Sequence, residues 1–464
     1  MIPPQPLLPR EAPGSLFAQA SSGDPMQSFA LFVLALAFAL PAFGQANVDA
    51  SLLAEIQKIP AIDNHTHIVD FNPAETSASP SRTSGQTPFL YPVRLRQENP
   101  EWAGIWRQLY GSTASVVSGD SLADMTRRKQ TLMREKGEQF PVWMLDRARI
   151  DIALVNGPRP GLGLPPERFR WVPNADRLLF PFGGGGEDEV EPAARKASLD
   201  AYLSETLKPA LRKWKSSGAV AIKLAIAYVR PLDVDSVSRQ EAERGYALAT
   251  KGGQPPSGEY KRLQDYLVHE LAREAGSLGL AVHIHVGIGA DPYFMISGAN
   301  PLLLESLVGD PSLRSTKFVL IHGGWPFDRA AGVMLIKPNV YADFSAQTFL
   351  RSPRALSETL RAWMEWYPEK ILFGSDTYDD PNTPGRGWEE LLWLANDSAR
   401  IALTMALTGM MNDGQISRSR ALELARMVLR ENAIKLYGLS TATVSIRTRI
   451  DGAPAHSSAP RSGQ

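Results

Sequence analysis

The segment IPAIDNHTHI, residues 59–68, is apolar at its start and ends with His65 and His67. On a β-strand, residues i and i+2 point to the same face, so the two imidazoles would lie side by side. The chain has only seven histidines, so the pair is either a metal-binding clamp or a coincidence. The rest of the sequence has to decide between these two interpretations.

Seven further segments contain short β-type runs, and most of them are apolar first and polar at the end. They are IDIALVNG (150–157), FRWVPNAD (169–176), AVAIKLAIAY (219–228), AVHIHVG (281–287), KFVLIHGG (317–324), NVYADFS (339–345) and KILFGSD (370–376). Continuous apolar runs indicate strands buried on both faces, as in parallel sheets. Amphipathic helices are predicted between them at 198–218, 259–279 and 352–368. Eight strands alternating with helices predict an α/β fold, the (β/α)8 TIM barrel.

Two insertions and a tail depart from this alternation. Residues 69–146 form a long insertion after strand 1, with a loop predicted at 71–88 and helices at 97–146. The second insertion, 177–197, contains four consecutive glycines and is predicted to be a mobile loop. The barrel domain is therefore assigned to 47–440, and the aperiodic segment 441–464 is predicted to be a disordered tail.

Residues 1–46 are predicted to be a start extension followed by a signal peptide. The apolar run FALFVLALAFALPAF (29–43) is short for a membrane span, and the following GQA suits cleavage after Ala46. No Lys or Arg lies between Met26 and this run, so an uncleaved membrane anchor is the alternative. We therefore expect an exported protein, periplasmic or secreted, with no stable membrane association after cleavage.

The composition restricts partners and metal ligands. Lys plus Arg and Asp plus Glu both total 49, and this balance argues against a nucleic-acid partner. The absence of cysteine excludes disulfides and thiolate metal sites. Any metal must be held by His, Asp, Glu or a modified Lys, which are ligands that suit zinc, manganese or iron(II).

Polar side chains lie at the ends of the predicted strands, where TIM barrels place their active sites. They are His65 and His67 on strand 1, Lys223 on strand 4, His283 and His285 on strand 5, His322 on strand 6 and Asp376 on strand 8. A single histidine on an apolar strand is usually a core residue bonded to a neighbour. Five of the seven histidines at strand ends are hard to explain by packing, because unpaired buried polar rings are costly. A metal ion would satisfy them together.

This ordered set, HxH, Lys, His, His and Asp on strands 1, 4, 5, 6 and 8, resembles the amidohydrolase superfamily. The segments HIHVGIGADP, NPLLLESL, FVLIHGGWPF, NVYADFS, ILFGSD and NAIKLYGL are similar to its amidohydrolase-related (amidohydrolase 2) branch. The resemblance extends over roughly residues 59–439. It implies a metal-dependent hydrolase that acts on an amide, ester or lactone-type bond of a small molecule.

The resemblance also implies roles for individual residues. The metal ligands would be His65, His67, His285 and Asp376, and Asp376 would also transfer the proton. His322 would lie beside the reacting water or the substrate oxygen and stabilise the oxyanion. We expect one divalent metal, zinc in the first place with Mn2+ or Fe2+ as alternatives. Two metals are expected if Lys223 is carboxylated and bridges them.

The remaining candidates surround these residues. In a one-metal site Lys223 would contact the substrate, together with Tyr228 and Arg230, although Arg230 could equally be a solvated loop charge. Trp325 and Tyr378 are predicted to line the pocket. His283 and Asp63 lie one layer deeper, where His283 could either support the metal ligands or belong to the core, and Asp63 could hold the second nitrogen of a ligand imidazole.

Two other functions stay open at this point. Some relatives of this branch use the same residues for non-oxidative decarboxylation of an aromatic or enoic acid. A catalytically idle barrel that binds a ligand is the other alternative, although the intact ligand set argues against it. Relatives often dimerise, so a homodimer is also expected.

Overall fold

The computed structural model describes residues 48–67, 91–157, 165–184, 195–251, 256–290, 293–379 and 386–440. The predicted signal peptide, the loop at 71–88 and the tail at 441–464 lie outside these ranges. Within them, no helix has both the length and the apolar composition needed to cross a bilayer.

Each of the eight predicted segments contains one strand, which confirms their number and order. The strands are β1 (Ala61–Thr66), β2 (Ile150–Asn156), β3 (Phe169–Val172), β4 (Ala221–Leu224), β5 (Ala281–His285), β6 (Phe318–Ile321), β7 (Val340–Asp343) and β8 (Ile371–Leu372). All residues of β4, β5 and β6 are buried, as expected for strands covered on both faces.

The strands close into a barrel through two kinds of connection. Parallel pairing gives the orders β1-β2-β3 and β4-β5-β6-β7-β8. Parallel bridges from Trp171 to Ala219 and from Asn174 to Lys223 join the end of β3 to β4. At the other junction, the backbone amide of Asn64 donates to Phe373 at 2.8 Å, and that of Asp376 donates to His65 at 2.7 Å. The chain therefore forms the predicted TIM barrel.

Helices surround the barrel and also fill the first insertion. Before β2 these are α1 (Ala50–Ile56) and the insertion helices α2 (Pro100–Tyr110), α3 (Gly119–Lys136) and α4 (Phe140–Arg147). Up to β6 they are α5 (Leu199–Tyr202), α6 (Lys208–Ser216), α7 (Arg239–Thr250), α8 (Ser257–Ser277) and α9 (Glu305–Gly309). After β6 they are α10 (Asp328–Met334), α11 (Gln347–Leu350), α12 (Pro353–Met364), α13 (Trp388–Asn412), α14 (Arg418–Arg426) and α15 (Asn432–Tyr437).

These helices agree with the sequence where it was periodic. The predicted helix 198–218 corresponds to α5 and α6, which are joined by a π-helical turn, and 259–279 corresponds to α8. The predicted helix 352–368 is α12, whose N-cap Ser352 accepts a hydrogen bond from the amide of Ala355 at 3.3 Å. The helical prediction for 97–146 is also confirmed.

The prediction of a mobile loop at 177–197 is wrong for its first part. Leu178, Leu179 and Phe180 are buried in the core. The hydroxyl of Tyr260, on α8, donates to the carbonyl of Gly183 at 2.8 Å. Apolar residues therefore anchor residues 177–183, and the following residues 185–194 lie outside the described part of the chain.

Candidate metal centre

One histidine of β1, a second histidine directly after β1 and an aspartate after β8 converge at one end of the barrel. Nε2 of His65 lies 3.2 Å from Oδ1 of Asp376, and Nε2 of His67 lies 3.4 Å from the same oxygen. His65 is buried, whereas the side chain of His67 is 39% exposed. The spacing His-Thr-His thus places both Nε2 atoms against one carboxylate oxygen.

His322 and His285 complete this group from β6 and β5. Nε2 of His322 lies 3.1 Å from Nδ1 of His285, and Nδ1 of His322 lies 3.6 Å from Oδ2 of Asp376. The ring of His322 also packs against that of His65, with centroids 5.4 Å apart. The five residues therefore form one cluster, and all of them were predicted from the strand ends.

Within the described residues, ligand atoms of His65, His322 and Asp376 lie within 4.8 Å of one another, close enough to hold a metal ion. The donor set fits such an ion, because imidazole nitrogens and a carboxylate suit zinc. Buried Nδ1 of His65 and Nε2 of His285 have no hydrogen-bond partner among the described residues. The resemblance implied His67 and His285 as further ligands, and both lie next to this triad. His322, which it placed beside the reacting water, is itself a member of the triad.

Burial controls the protonation of these side chains. It lowers the pKa of His65 to about 3, with help from the nearby charge of Lys223. It also lowers the pKa values of His285 and His322 well below the ordinary value. Burial alone would raise the pKa of Asp376, yet His322 and hydrogen bonds from His65 and His67 hold it well below its usual range. The centre therefore presents neutral imidazoles and an ionised carboxylate, the forms that bind metals.

Lys223 lies inside the barrel beside the cluster, as predicted. Its Nζ is 3.4 Å from Nε2 of His65, and the side chain is buried. Burial lowers the pKa of Lys223 to about 8. Lys223 is therefore mostly an ammonium at neutral pH, with an accessible amine form.

The backbone at two of these residues adopts a conformation that few side chains tolerate. His322 has φ 68° and Asp376 has φ 58°. Positive φ at a non-glycine residue is uncommon, and such residues cluster at functional sites.

Asp63 and His283, the two residues one layer deeper in the barrel, do not bond to the imidazole rings of the metal centre. Asp63 accepts hydrogen bonds from the amide of Ser375 at 2.8 Å and from the amide of His65 at 3.3 Å. It therefore holds backbone near the ligands, and Nδ1 of His65 has no hydrogen-bond partner among the described residues, so the expected contact with that imidazole does not form. Burial raises the pKa of Asp63 to about 7.

His283 is a core residue, as one of the two interpretations held. Its Nε2 lies 2.7 Å from the hydroxyl of Tyr437, which also donates to Oδ1 of Asn64. The hydroxyl of Tyr437, on α15, therefore links His283 of β5 to Asn64 of β1 inside the barrel.

Sequence reasoning missed Asp343 and Ser345, which support His322. Asp343 ends β7 and accepts the amide of His322 at 2.8 Å. The hydroxyl of Ser345 lies 2.9 Å from Nδ1 of His322. Both residues are buried. The signal was present, because NVYADFS was recognised as a strand that turns polar at its end.

The substrate candidates after β4 differ in their availability. The ring of Tyr228 lies 4.6 Å from that of His285 and 4.8 Å from that of Phe294, so it lines the centre. Arg230 instead forms an ion pair with buried Asp265, at 2.7 Å. Arg230 is thus not a solvated loop charge, but its buried Nε has no hydrogen-bond partner among the described residues, so its contact with a substrate stays a prediction.

Trp325 and Tyr378 follow β6 and β8 and are half-buried. The carbonyl of Trp325 accepts the amide of Ile288 at 2.8 Å, which joins the loops after β6 and β5. Gly287 permits this approach, because a Cβ there would lie 2.4 Å from that carbonyl oxygen. The Tyr378 ring packs 6.3 Å from that of Phe349.

Comparison with known proteins gives one family and several structures of the same fold. Residues 212–439 match the model of the family described as amidohydrolase. Protein fluG of Emericella nidulans is 28% identical over 232 residues, which is 48% of this chain and 26% of that protein. The matched region thus spans about a quarter of that relative's length.

Two solved structures align with most of the chain. A protein of Lactobacillus casei assigned as a metal-dependent hydrolase has a TM-score of 0.57 at 17% identity, covering 83% of this chain and 97% of that one. Uronate isomerase of Thermotoga maritima has a TM-score of 0.57 at 14% identity, covering 83% and 96%. At these identities the likeness concerns the fold alone. The barrel and the ordered strand-end residues agree with the family match, which places residues 212–439 in the amidohydrolase family.

Proposed function

We propose that the protein is a metal-dependent hydrolase that acts on an amide, ester or lactone-type bond of a small molecule. The observation that carries this proposal is the convergence of His65, His67 and His322 on Asp376. The neutral imidazoles of the buried His65 and His322 beside an ionised carboxylate favour metal binding over a purely structural cluster. The position at the strand ends is the one from which TIM barrels act on substrates.

His65, His322 and Asp376 would hold the ion, with His67 and His285 beside them. A bound divalent metal would supply Lewis acidity for a carbonyl and would make a water molecule acidic enough to ionise near neutral pH. We propose zinc, because His and Asp ligands at an open site are typical of catalytic zinc.

Asp376 is the proposed proton carrier. Its Oδ1 faces His65 and His67, whereas its Oδ2 lies at the longer distance of 3.6 Å from His322. Oδ2 would accept the proton of the attacking water and then return it to the leaving group. The low pKa of Asp376 keeps the carboxylate ionised before the reaction.

Lys223 is the proposed contact for the substrate oxygen. As an ammonium it offers three donors and a positive charge within a buried site. His322 could share that role only if its Nε2 carried a proton. In the two-metal alternative, the amine form of Lys223 would be carboxylated and would bridge the ions.

Decarboxylation of an aromatic or enoic acid is the second candidate. Lys223 could pair with a substrate carboxylate, while the rings of Tyr228 and Phe294 provide an aromatic wall beside His285. Hydrolysis is preferred because the predicted export suits an extracellular hydrolase better than cytosolic catabolism. We also propose that the exported protein acts on a small molecule and forms a homodimer, which light scattering would test.

The test is a substrate panel with the purified protein loaded with zinc. We expect hydrolysis of at least one class among p-nitrophenyl esters, p-nitroanilides and lactones, lost with a chelator and restored by zinc. Release of carbon dioxide from hydroxybenzoates without any hydrolysis would move the function to decarboxylation. Absence of both metal binding and turnover would leave an idle barrel.

A further inference from the structure

Three side chains from the segment 343–347, at the end of β7, form hydrogen bonds with the backbone and the ring of His322. Asp343 accepts the backbone amide of His322 at 2.8 Å, and Gln347 donates from Nε2 to its carbonyl at 2.9 Å. The hydroxyl of Ser345 lies 2.9 Å from its Nδ1. All three residues are fully buried. They therefore maintain the uncommon positive φ of His322 and the orientation of its ring.

Asp343 is surrounded by hydrogen-bond donors. Besides the amide of His322, it accepts the amide of Ser345 at 3.1 Å, the hydroxyl of Ser345 at 2.7 Å and Nδ2 of Asn64 at 2.7 Å. The backbone N–H groups and Nδ2 of Asn64 can only donate, so they require both oxygens of Asp343 to act as acceptors. Asp343 is then a carboxylate, and the hydroxyl of Ser345 donates to it.

A serine hydroxyl has a single proton. Because the proton of Ser345 is directed to Asp343, its oxygen faces His322 as an acceptor, and Nδ1 of His322 must donate. The alternative acceptor, Oδ2 of Asp376, is too distant at 3.6 Å. A neutral imidazole carries one N–H, so Nε2 of His322 is unprotonated and can only accept a hydrogen bond or bind a metal.

We propose that Asp343 and Ser345 are positioning residues that fix the proton of His322 on Nδ1 and present its unprotonated Nε2 to the metal centre. His322 is then a metal ligand and cannot donate from Nε2 to an oxyanion, in contrast to the role that the resemblance implied. This inference rests on the proposed metal-dependent function, but the tautomer itself exists without a metal.

The same ordering extends to His285. Its Nδ1 lies 3.1 Å from Nε2 of His322, where two unprotonated nitrogens would repel each other. In the metal-free protein, Nδ1 of His285 therefore donates to Nε2 of His322. The four residues Asp343, Ser345, His322 and His285 form one chain of hydrogen bonds with a single direction.

The direct test is the tautomer of His322 in the metal-free protein. Uniform 15N labelling of the histidines and long-range 1H–15N correlation spectra distinguish a protonated Nδ1 from a protonated Nε2. The chain has only seven histidines, so the His322 signals are assigned by their loss in His322→Gln. We expect the proton on Nδ1. A proton on Nε2 of His322 would overturn the proposal without any variant having to fold.

Variants of Ser345 test whether the hydroxyl sets this state. Ser345→Ala should mix the tautomers of His322 and lower zinc affinity by about 10–100-fold, the usual effect of losing a partner of a metal-binding histidine. Ser345→Thr, which keeps the hydroxyl, should restore both. Ser357→Ala is the matched control, because the hydroxyl of the buried Ser357 donates to a carbonyl of its own helix, at 2.7 Å, and not to a residue of the centre.

The outcomes separate the two proposals. An unchanged tautomer and unchanged zinc affinity in Ser345→Ala would overturn the positioning role while leaving the metal function intact. The expected tautomer in a protein that binds no zinc would contradict the proposed function and support the hydrogen-bond order. A loss of zinc affinity in Ser345→Ala without a change of tautomer would reduce Ser345 to a structural residue and contradict the inference.

Discussion

The substitution Asp376→Asn removes the carboxylate that we propose as the proton carrier but keeps its size and one oxygen. The backbone can accept this change, because Asp376 has φ 58° and asparagine is one of the residues that adopt positive φ most readily. Alanine would add backbone strain at the same position. The asparagine variant therefore changes the chemistry of the side chain with little change of conformation.

The expected loss is larger for turnover than for metal binding. Oδ1 of Asp376 contacts Nε2 of His65 at 3.2 Å and of His67 at 3.4 Å, and an amide oxygen can occupy its place. With the histidines retained, excess zinc should still load the protein. Turnover should fall by about 10²–10⁴-fold, the usual contribution of a positioned general base. This corresponds to about 3–5 kcal/mol of activation free energy.

The assay compares kcat at saturating zinc, on a substrate identified in the panel, with metal content measured on the same sample. Asp379→Asn is the matched control from the same loop. Oδ1 of Asp379 accepts the amide of Trp388 at 3.0 Å, and asparagine preserves an acceptor there, so turnover should stay close to wild type. If Asp376→Asn retains wild-type kcat at full metal loading, Asp376 is not the base and the proposed mechanism is wrong.

Three further predictions concern the stability of the barrel interior, the number of metal ions per chain and the cleavage of the N-terminus. Tyr437→Phe and His283→Asn should lower the free energy of unfolding by about 1–3 kcal/mol, measured by urea denaturation, with little loss of kcat at saturating metal; a collapse of kcat alone would contradict this. Lys223→Met should raise KM and keep about one zinc per chain by elemental analysis, whereas loss of a second metal would indicate a carboxylated lysine. Mass spectrometry of the exported protein should find a start near Asn47, and an intact N-terminus in the membrane fraction would indicate an anchor.

The barrel could be predicted because each strand is short, apolar and followed by polar residues. The strand boundaries were less accurate. The last predicted strand extended over 370–376, whereas β8 contains only Ile371–Leu372. Beyond it, Phe373 and Asp376 bond to β1 through separate hydrogen bonds instead of a continuous ladder. Periodicity detects burial and carries no information on where regular pairing ends.

The candidate site could be predicted as far as it consisted of histidines, lysine and aspartate at strand ends. Its hydrogen-bond partners could not. Tyr437 and Asn64 are 373 residues apart, and their contact depends on how the last helix enters the barrel. The ion pair of Arg230 was missed for a related reason, because its partner Asp265 lies 35 residues away on α8.

His322 shows a different limit of sequence reasoning. A histidine after β6 is compatible both with metal binding and with donation to an oxyanion. The choice depends on which nitrogen carries the proton, and that depends on Ser345 and Asp343. These residues were visible as the polar end of NVYADFS, but their hydrogen bonds become evident only when β6 and β7 lie side by side.

The central claim is that the strand-end histidines and Asp376 form a metal centre. Elemental analysis of the protein after mild, chelator-free purification tests it most directly, combined with activity before and after addition of zinc. We predict about one divalent metal per chain, zinc in the first place, held by histidine and carboxylate ligands. Absence of any metal, together with no gain of activity on adding zinc, manganese or iron(II), would contradict the account.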